Sequence, residues 1–148
     1  MVNKFNNQVK QFFNTMDNQQ IYKIVEEITA YVEHSTDFEK TCRALIKNYP
    51  NIEAIYMLDS RGFMITDTIL RPESQVKSPA KKGDRLSDKP YFKVCSDLKT
   101  DIFVTYPYVS SATGSLCRTA TRRIRKQVIV GNTPKVETYY LCIDFFEK

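Results

Sequence analysis

The sequence predicts an α+β domain, a five-stranded antiparallel sheet with helices on at least one face. Three observations predict it: apolar residues recur at helical spacing through the first third of the chain, they alternate with a period of two beyond residue 101, and short turns join the strand-like runs as in hairpins. The order of elements is helix, helix, strand, strand, loop and helix, then three strands. At 148 residues the chain is long enough for one core and short for two, so we read 1–148 as one domain with its sheet core over 52–146.

Residues 4–34 hold neither proline nor glycine, and 1–34 reads as a long N-terminal helical segment. Advancing each residue by 100°, Phe5, Val9, Phe12, Phe13 and Met16 share one face, while Ile21, Ile24, Val25, Ile28 and Val32 share another turned by roughly a right angle. One straight helix cannot bury both stripes against one sheet. Either Asp17 or Asn18 caps a second helix after a break, or the helix runs on and offers its first stripe to another subunit. We favour the second, a homodimer through the N-terminal helix.

"TDFEK" sets Thr36 three residues ahead of Glu39 as a capping box for a short helix with Phe38, Cys42, Leu45 and Ile46 on its apolar face, ending before Pro50. "IEAIYMLD" and "FMITDTIL" read as the first two strands, with Gly62 in the turn between them. Residues 71–89 are poor in large apolar side chains and longer than the ~12 to 15 residues usual for a loop without function. Ser87 or Asp88 then caps a helix of about nine residues, with Pro90 in its first turn and Tyr91, Val94, Cys95 and Leu98 on one face. "DIFVTYPYVS", "SLCRTATRRIRKQVIV" and "VETYYLCIDFF" complete the sheet.

Composition excludes more than it assigns. No apolar run approaches the ~20 residues that cross a bilayer, and the first twenty residues lack a signal-peptide pattern. The expected location is cytoplasmic, or extracytoplasmic should the chain be a fragment of a membrane receptor. Cys42, Cys95, Cys117 and Cys142 form no CxxC pair and the single histidine, His34, is far from them, so no metal or cofactor is expected. No nucleophile and base stand together and no glycine-rich phosphate loop occurs, so no enzyme is expected. The net charge of +5 and the strip "RTATRRIRKQ" would suit nucleic acid, but no aromatic residue lies between its charges.

"LDSRGFMITD" and "GDRLSDKPYFKVCSDLKTDIFVTYPYVSSATGSLCRTATRRI" together resemble the Cache, or PDC, sensor domains, relatives of the PAS fold. The resemblance covers about 52–125. It implies a long helix on one face of the sheet and, on the other, a ligand cavity roofed by the loop and short helix. Tyr91 and Phe92 would then begin that helix over the cavity; the alternative is that they only seal the loop onto the core. The amino-acid-binding subset of the family carries Arg-x-Trp-Tyr at this helix start. Here "DKPY" puts Asp88 where that arginine would be, so sensing in that mode is not expected.

The expected ligand is a small, anionic, carboxylate-type metabolite. An arginine of the fourth strand is its natural partner because a guanidinium stays charged and donates two parallel hydrogen bonds. Arg118 is the first candidate and Arg123 the second, with Arg85, Lys89 and Thr119 behind them and Tyr106 and Tyr108 from the third strand. Which face of the fourth strand meets the cavity is open. Output would pass to an effector protein in trans. The rival reading is a dimerising or docking module without a ligand.

Overall fold

The protein is described by a computed structural model over residues 16–74, 76, 78–110 and 114–147. Its elements are α1 (Asn18–Glu33), α2 (Phe38–Ile46), β1 (Ile52–Leu58), β2 (Ile69–Leu70), α3 (Pro90–Leu98), β3 (Ile102–Val104), β4 (Tyr108–Val109), β5 (Leu116–Val130) and β6 (Thr133–Phe146). The antiparallel sheet runs β2-β1-β6-β5-β3, and β4 pairs with β5 beside β3. Among the described residues no helix is long and apolar enough to cross a membrane.

The continuous N-terminal helix is not what forms. Asp17 is extended (φ −78°, ψ 164°), and its side chain accepts the Gln20 N–H while the Gln20 side chain accepts the Asp17 N–H. That reciprocal cap satisfies two backbone donors only if the helix starts at Asn18. The first stripe, Phe5, Val9, Phe12 and Phe13, lies outside the described residues, and with it the expected dimer contact. The second stripe behaves as read: Ile21, Val25, Ile28 and Val32 are buried on the sheet. The cap of α2 is Asp37, not Thr36, because its Oδ1 takes the Lys40 N–H at 3.1 Å; Glu39 binds Arg43 one turn on instead.

The sheet has two cores. On one face α1 and α2 meet Ile52 and Ile55 of β1, Ala120 and Ile124 of β5, and Leu141, Ile143 and Phe145 of β6. On the other, Tyr91, Phe92 and Cys95 of α3 meet Tyr56, Leu58, Tyr140 and Cys142. Leu98, expected on this buried face, is exposed. α3 is nine residues long with Pro90 in its first turn, but its N-cap is Lys89 and neither Ser87 nor Asp88 caps it.

The second strand is shorter than its sequence suggests. The Thr66 hydroxyl takes the Met57 N–H at 3.1 Å, so a side chain replaces the backbone ladder there and regular pairing resumes only at Ile69. The same segment also holds the loop. The Met64 N–H donates to the Asp84 carbonyl, the Leu86 N–H to the Gly62 carbonyl and the Thr68 hydroxyl to the Ala80 carbonyl, at 2.8, 2.8 and 2.6 Å. The far half of the 71–89 loop is thus strapped onto the hairpin. Its near end is pinned by Arg71, whose guanidinium donates to the carbonyls of Ile46, Tyr49 and Ile52 at the end of α2 and start of β1.

Gly62 sits at the crossing of hairpin and loop. Its φ is +86°, and a Cβ there would lie 2.6 Å from both Cα and Cβ of Ser87. We expect Gly62→Ala to cost roughly 2 to 4 kcal/mol, from backbone strain together with overpacking. Urea unfolding measures it; a loss below about 0.5 kcal/mol would show that the loop yields freely at this point.

Candidate ligand-binding site

The face of the sheet opposite α1 does not close into solid packing. A cavity of about 950 Å³ lies between it and the 76–90 roof, with Ala54, Tyr56 and Asp144 on the sheet side, Val76, Ala80 and Leu86 in the roof and Pro90 and Tyr91 at the start of α3. One wall comes from the segment joining β3 to β4. Pro107 has no N–H to offer β5, so the edge strand breaks over 105–107 and leaves Tyr106 91% exposed at the rim.

Asp144 sits at the bottom. It stands near the C-terminal end of β6, half-buried, and Oδ1 accepts both the Thr119 hydroxyl at 2.8 Å and the Tyr56 hydroxyl at 3.2 Å. Thr119 has one hydroxyl proton; giving it to Asp144, it must accept from Tyr108, whose oxygen is 2.6 Å away. A chain of donors therefore ends on one carboxylate oxygen. No described residue bonds Oδ2. Burial pushes the Asp144 carboxyl up to about 6; the Thr119 and Tyr56 bonds pull against that, and neighbouring Glu53 reinforces it. Glu53, itself raised by burial, also lines the cavity, while Lys81 and Lys89 stand on the opposite side in the roof.

The sequence candidates scatter. Lys89, Tyr91, Tyr106 and Tyr108 line the cavity, and Thr119 lies directly beneath it as the link between Tyr108 and Asp144. Phe92 faces inward instead, its ring edge-on to Tyr140 with centroids 5.0 Å apart. Arg85 is exposed and binds the Ser87 hydroxyl. Neither arginine of β5 is in the site. Arg118 is on the helix face, only 8% exposed, donating to the carbonyls of Thr105 and Met16 and the side chain of Asn18. It fastens the start of α1 to β5, because the break at Asp17 leaves carbonyls there to satisfy. Arg123 shares the cavity face of β5 but lies beyond the cavity, paired with Asp101 at 3.3 Å.

The same geometry dissolves the basic strip. Arg118 is buried, Arg122 pairs with Glu26 at 2.7 Å and Arg123 with Asp101. What would have read a polyanion is mostly internal fastening.

Sequence reasoning missed the acids. Asp144 had a visible signal, a carboxylate between Ile143 and Phe145 in the apolar end of its strand. Glu53 had none.

No family model matches the chain, and no curated protein matches it in sequence. Solved structures do match in shape. The Bacillus subtilis YkuI protein, which has an EAL domain and was crystallised with c-di-GMP and calcium, superimposes with TM-score 0.60 at 20% identity over 97% of this chain and 34% of its own. The ligand-binding domain of a Campylobacter jejuni chemoreceptor in complex with L-valine gives 0.52 at 17% over 98% of this chain and 54% of its own. That of the Pseudomonas fluorescens chemoreceptor CtaA with L-serine gives 0.52 at 17% over 99% and 61%. The chain thus spans a third to three-fifths of these structures. The fold is that of the Cache-type sensor domains.

The position of Arg118 yields a stability prediction. Arg118→Ala leaves the Thr105 carbonyl and the start of α1 unsatisfied, which we expect to cost about 2 to 4 kcal/mol and to lower Tm by roughly 5 to 10 °C. Thermal unfolding followed by circular dichroism reads it; an unchanged Tm would mean that this fastening carries no weight.

Proposed function

We propose that the domain is a non-catalytic sensor module whose cavity binds a small organic molecule carrying an ammonium group, with an anionic end of that molecule turned toward Lys89 and Lys81. The observation that carries this reading is Asp144: a half-buried carboxylate at the floor of a cavity, held on one oxygen, with no cationic partner among the described residues. Such a group costs folding energy when ionised and regains it when a cation arrives. Solved relatives holding L-valine and L-serine support the size and class of guest. The departure of "DKPY" from the Arg-x-Trp-Tyr pattern leaves the two lysines to meet a carboxylate here, as point charges without the bidentate geometry of arginine.

Catalysis finds no support in the thiols. Burial pushes Cys95 and Cys117 up to about 11 and Cys42 to about 12, far from a reactive thiolate. Among the described residues no three metal-ligating side chains come together. A signal would leave through a partner protein or a change in subunit contact.

The linkage has a definite sign. Asp144 has a folded-state pKa raised from about 3.8 to about 6, so its contribution to stability is full below the unfolded value and is lost as pH rises through 6. The loss at pH 7.5 is on the order of 3 kcal/mol. Asp144→Asn keeps an acceptor for Thr119 and Tyr56 and removes that loss. We therefore expect it to raise Tm at pH 7.5 and to leave it nearly unchanged at pH 4.

A thermal-shift panel of amino acids, simple amines and amine-free carboxylates tests the ligand class. An amine-bearing compound at about 100 times its Kd stabilises the wild type by about 2.7 kcal/mol at pH 7.5 and progressively less below pH 6. Asp144→Asn abolishes that shift. Binding that prefers amine-free carboxylates, or survives Asp144→Asn intact, would overturn the reading.

A further inference from the structure

β5 and β6 stay paired out to Val130 and Thr133, well past their neighbours in the sheet. β3 reaches β5 only at 120–122, with the Asp101 carbonyl accepting one further N–H from Arg123. β1 reaches β6 only as far as Tyr140. Residues 125–138 therefore form a two-stranded ribbon with no third strand on either side among the described residues.

The two edges differ. On β5, the Thr119 carbonyl and the Arg123 N–H turn toward the β3 side. Antiparallel alternation then turns the backbone groups of Arg125, Gln127 and Ile129 out along the same edge. On β6, the Phe146 N–H turns outward to the Asn51 carbonyl, which places the even-numbered residues on that edge. One of them is Pro134, which has no N–H and blunts it. The β5 edge is open over 125–130.

Its side chains are cationic at Arg125 and Lys126 and apolar from Val128 to Val130. Ile129 is 74% exposed and Val136, across the ribbon, 63%. Arg125, Lys126 and Lys135 are in no ion pair among the described residues, and the one carboxylate of the ribbon, Glu137, which stands opposite Lys126 and accepts from the Tyr139 hydroxyl, leaves the ribbon with an excess of positive charge. We propose that this edge docks an extended acidic segment of a partner protein, added to β5 in line with β3. Backbone pairing supplies the register, and the free cations select acidic side chains. A second copy of the chain would bring these same cations together. Nucleic acid finds no ring to stack on between 125 and 138. The inference does not rest on the cavity or its ligand.

The test titrates the peptide acetyl-Glu-Val-Asp-Val-Glu-Ile-Asp-amide, and its counterpart with lysine at every acidic position, into the ¹⁵N-labelled full chain. We expect amide shifts confined to 125–130 with the acidic peptide alone. The double variant Arg125→Glu/Lys126→Glu, exposed and harmless to folding, weakens binding by about tenfold or more. Gln127→Pro, which removes only an outward N–H, abolishes it. The inference is overturned if the acidic peptide leaves these amides unmoved, if the lysine peptide binds as well, or if a single-stranded DNA oligomer shifts them as strongly. Broadening of the same amides with protein concentration alone, the mark of pairing between copies, would overturn it too.

Discussion

The fourteen-pair ladder between β5 and β6 decides what every other element meets. It makes two adjacent central strands present Ala120, Ile124, Leu141, Ile143 and Phe145 to one side and Thr119, Thr121, Cys142 and Asp144 to the other. The first set is a surface on which an amphipathic helix can lie, and α1 lies there. The second is more polar; α3 seals part of it at Cys142, and over the rest the chain builds a roof. A slip of one residue in that ladder would exchange the two faces.

The roof stands off the sheet because it is braced elsewhere. Arg71 gathers the carbonyls at the end of α2, the Gly62 carbonyl and Met64 N–H hold residues 84–86, and Pro90 starts α3 at the cavity mouth. None of these contacts draws on the cavity floor. Asp144 thus remains a half-buried carboxylate with hydroxyl partners and no counter-ion among the described residues, which a fold selected for stability alone would replace with an amide or an apolar residue. Its place in the cavity floor fits a guest that brings the countercharge.

Much of this was legible in residue order. The stripe of α1, the nine residues of α3, the β5–β6 hairpin and the length of the roof loop follow from period and punctuation. The orientation of β5 did not, because Cys117, Arg118, Thr119, Ala120 and Thr121 are all buried, and a strand covered on both faces shows no polar alternation. Arg118 was misassigned for that reason. Its partners are a carbonyl in the broken edge strand and the capped start of α1, two local irregularities that periodicity does not report. Residues 101–110, read as one strand, break at Pro107, a signal that was passed over, as was Asp144, a charge at the apolar end of β6. What residue order could not give is that Tyr108, Thr119 and Asp144, from three strands, form one relay.

The account stands on the charge state of a single carboxyl group, which can be observed by itself. Following the ¹³C carboxyl resonance of Asp144 through a pH titration should give a midpoint near 6 in the free protein, moved down by at least about one unit when a stabilising amine saturates the cavity. A midpoint near the ordinary aspartate value of about 4, or one that does not respond to any amine that binds, would contradict it.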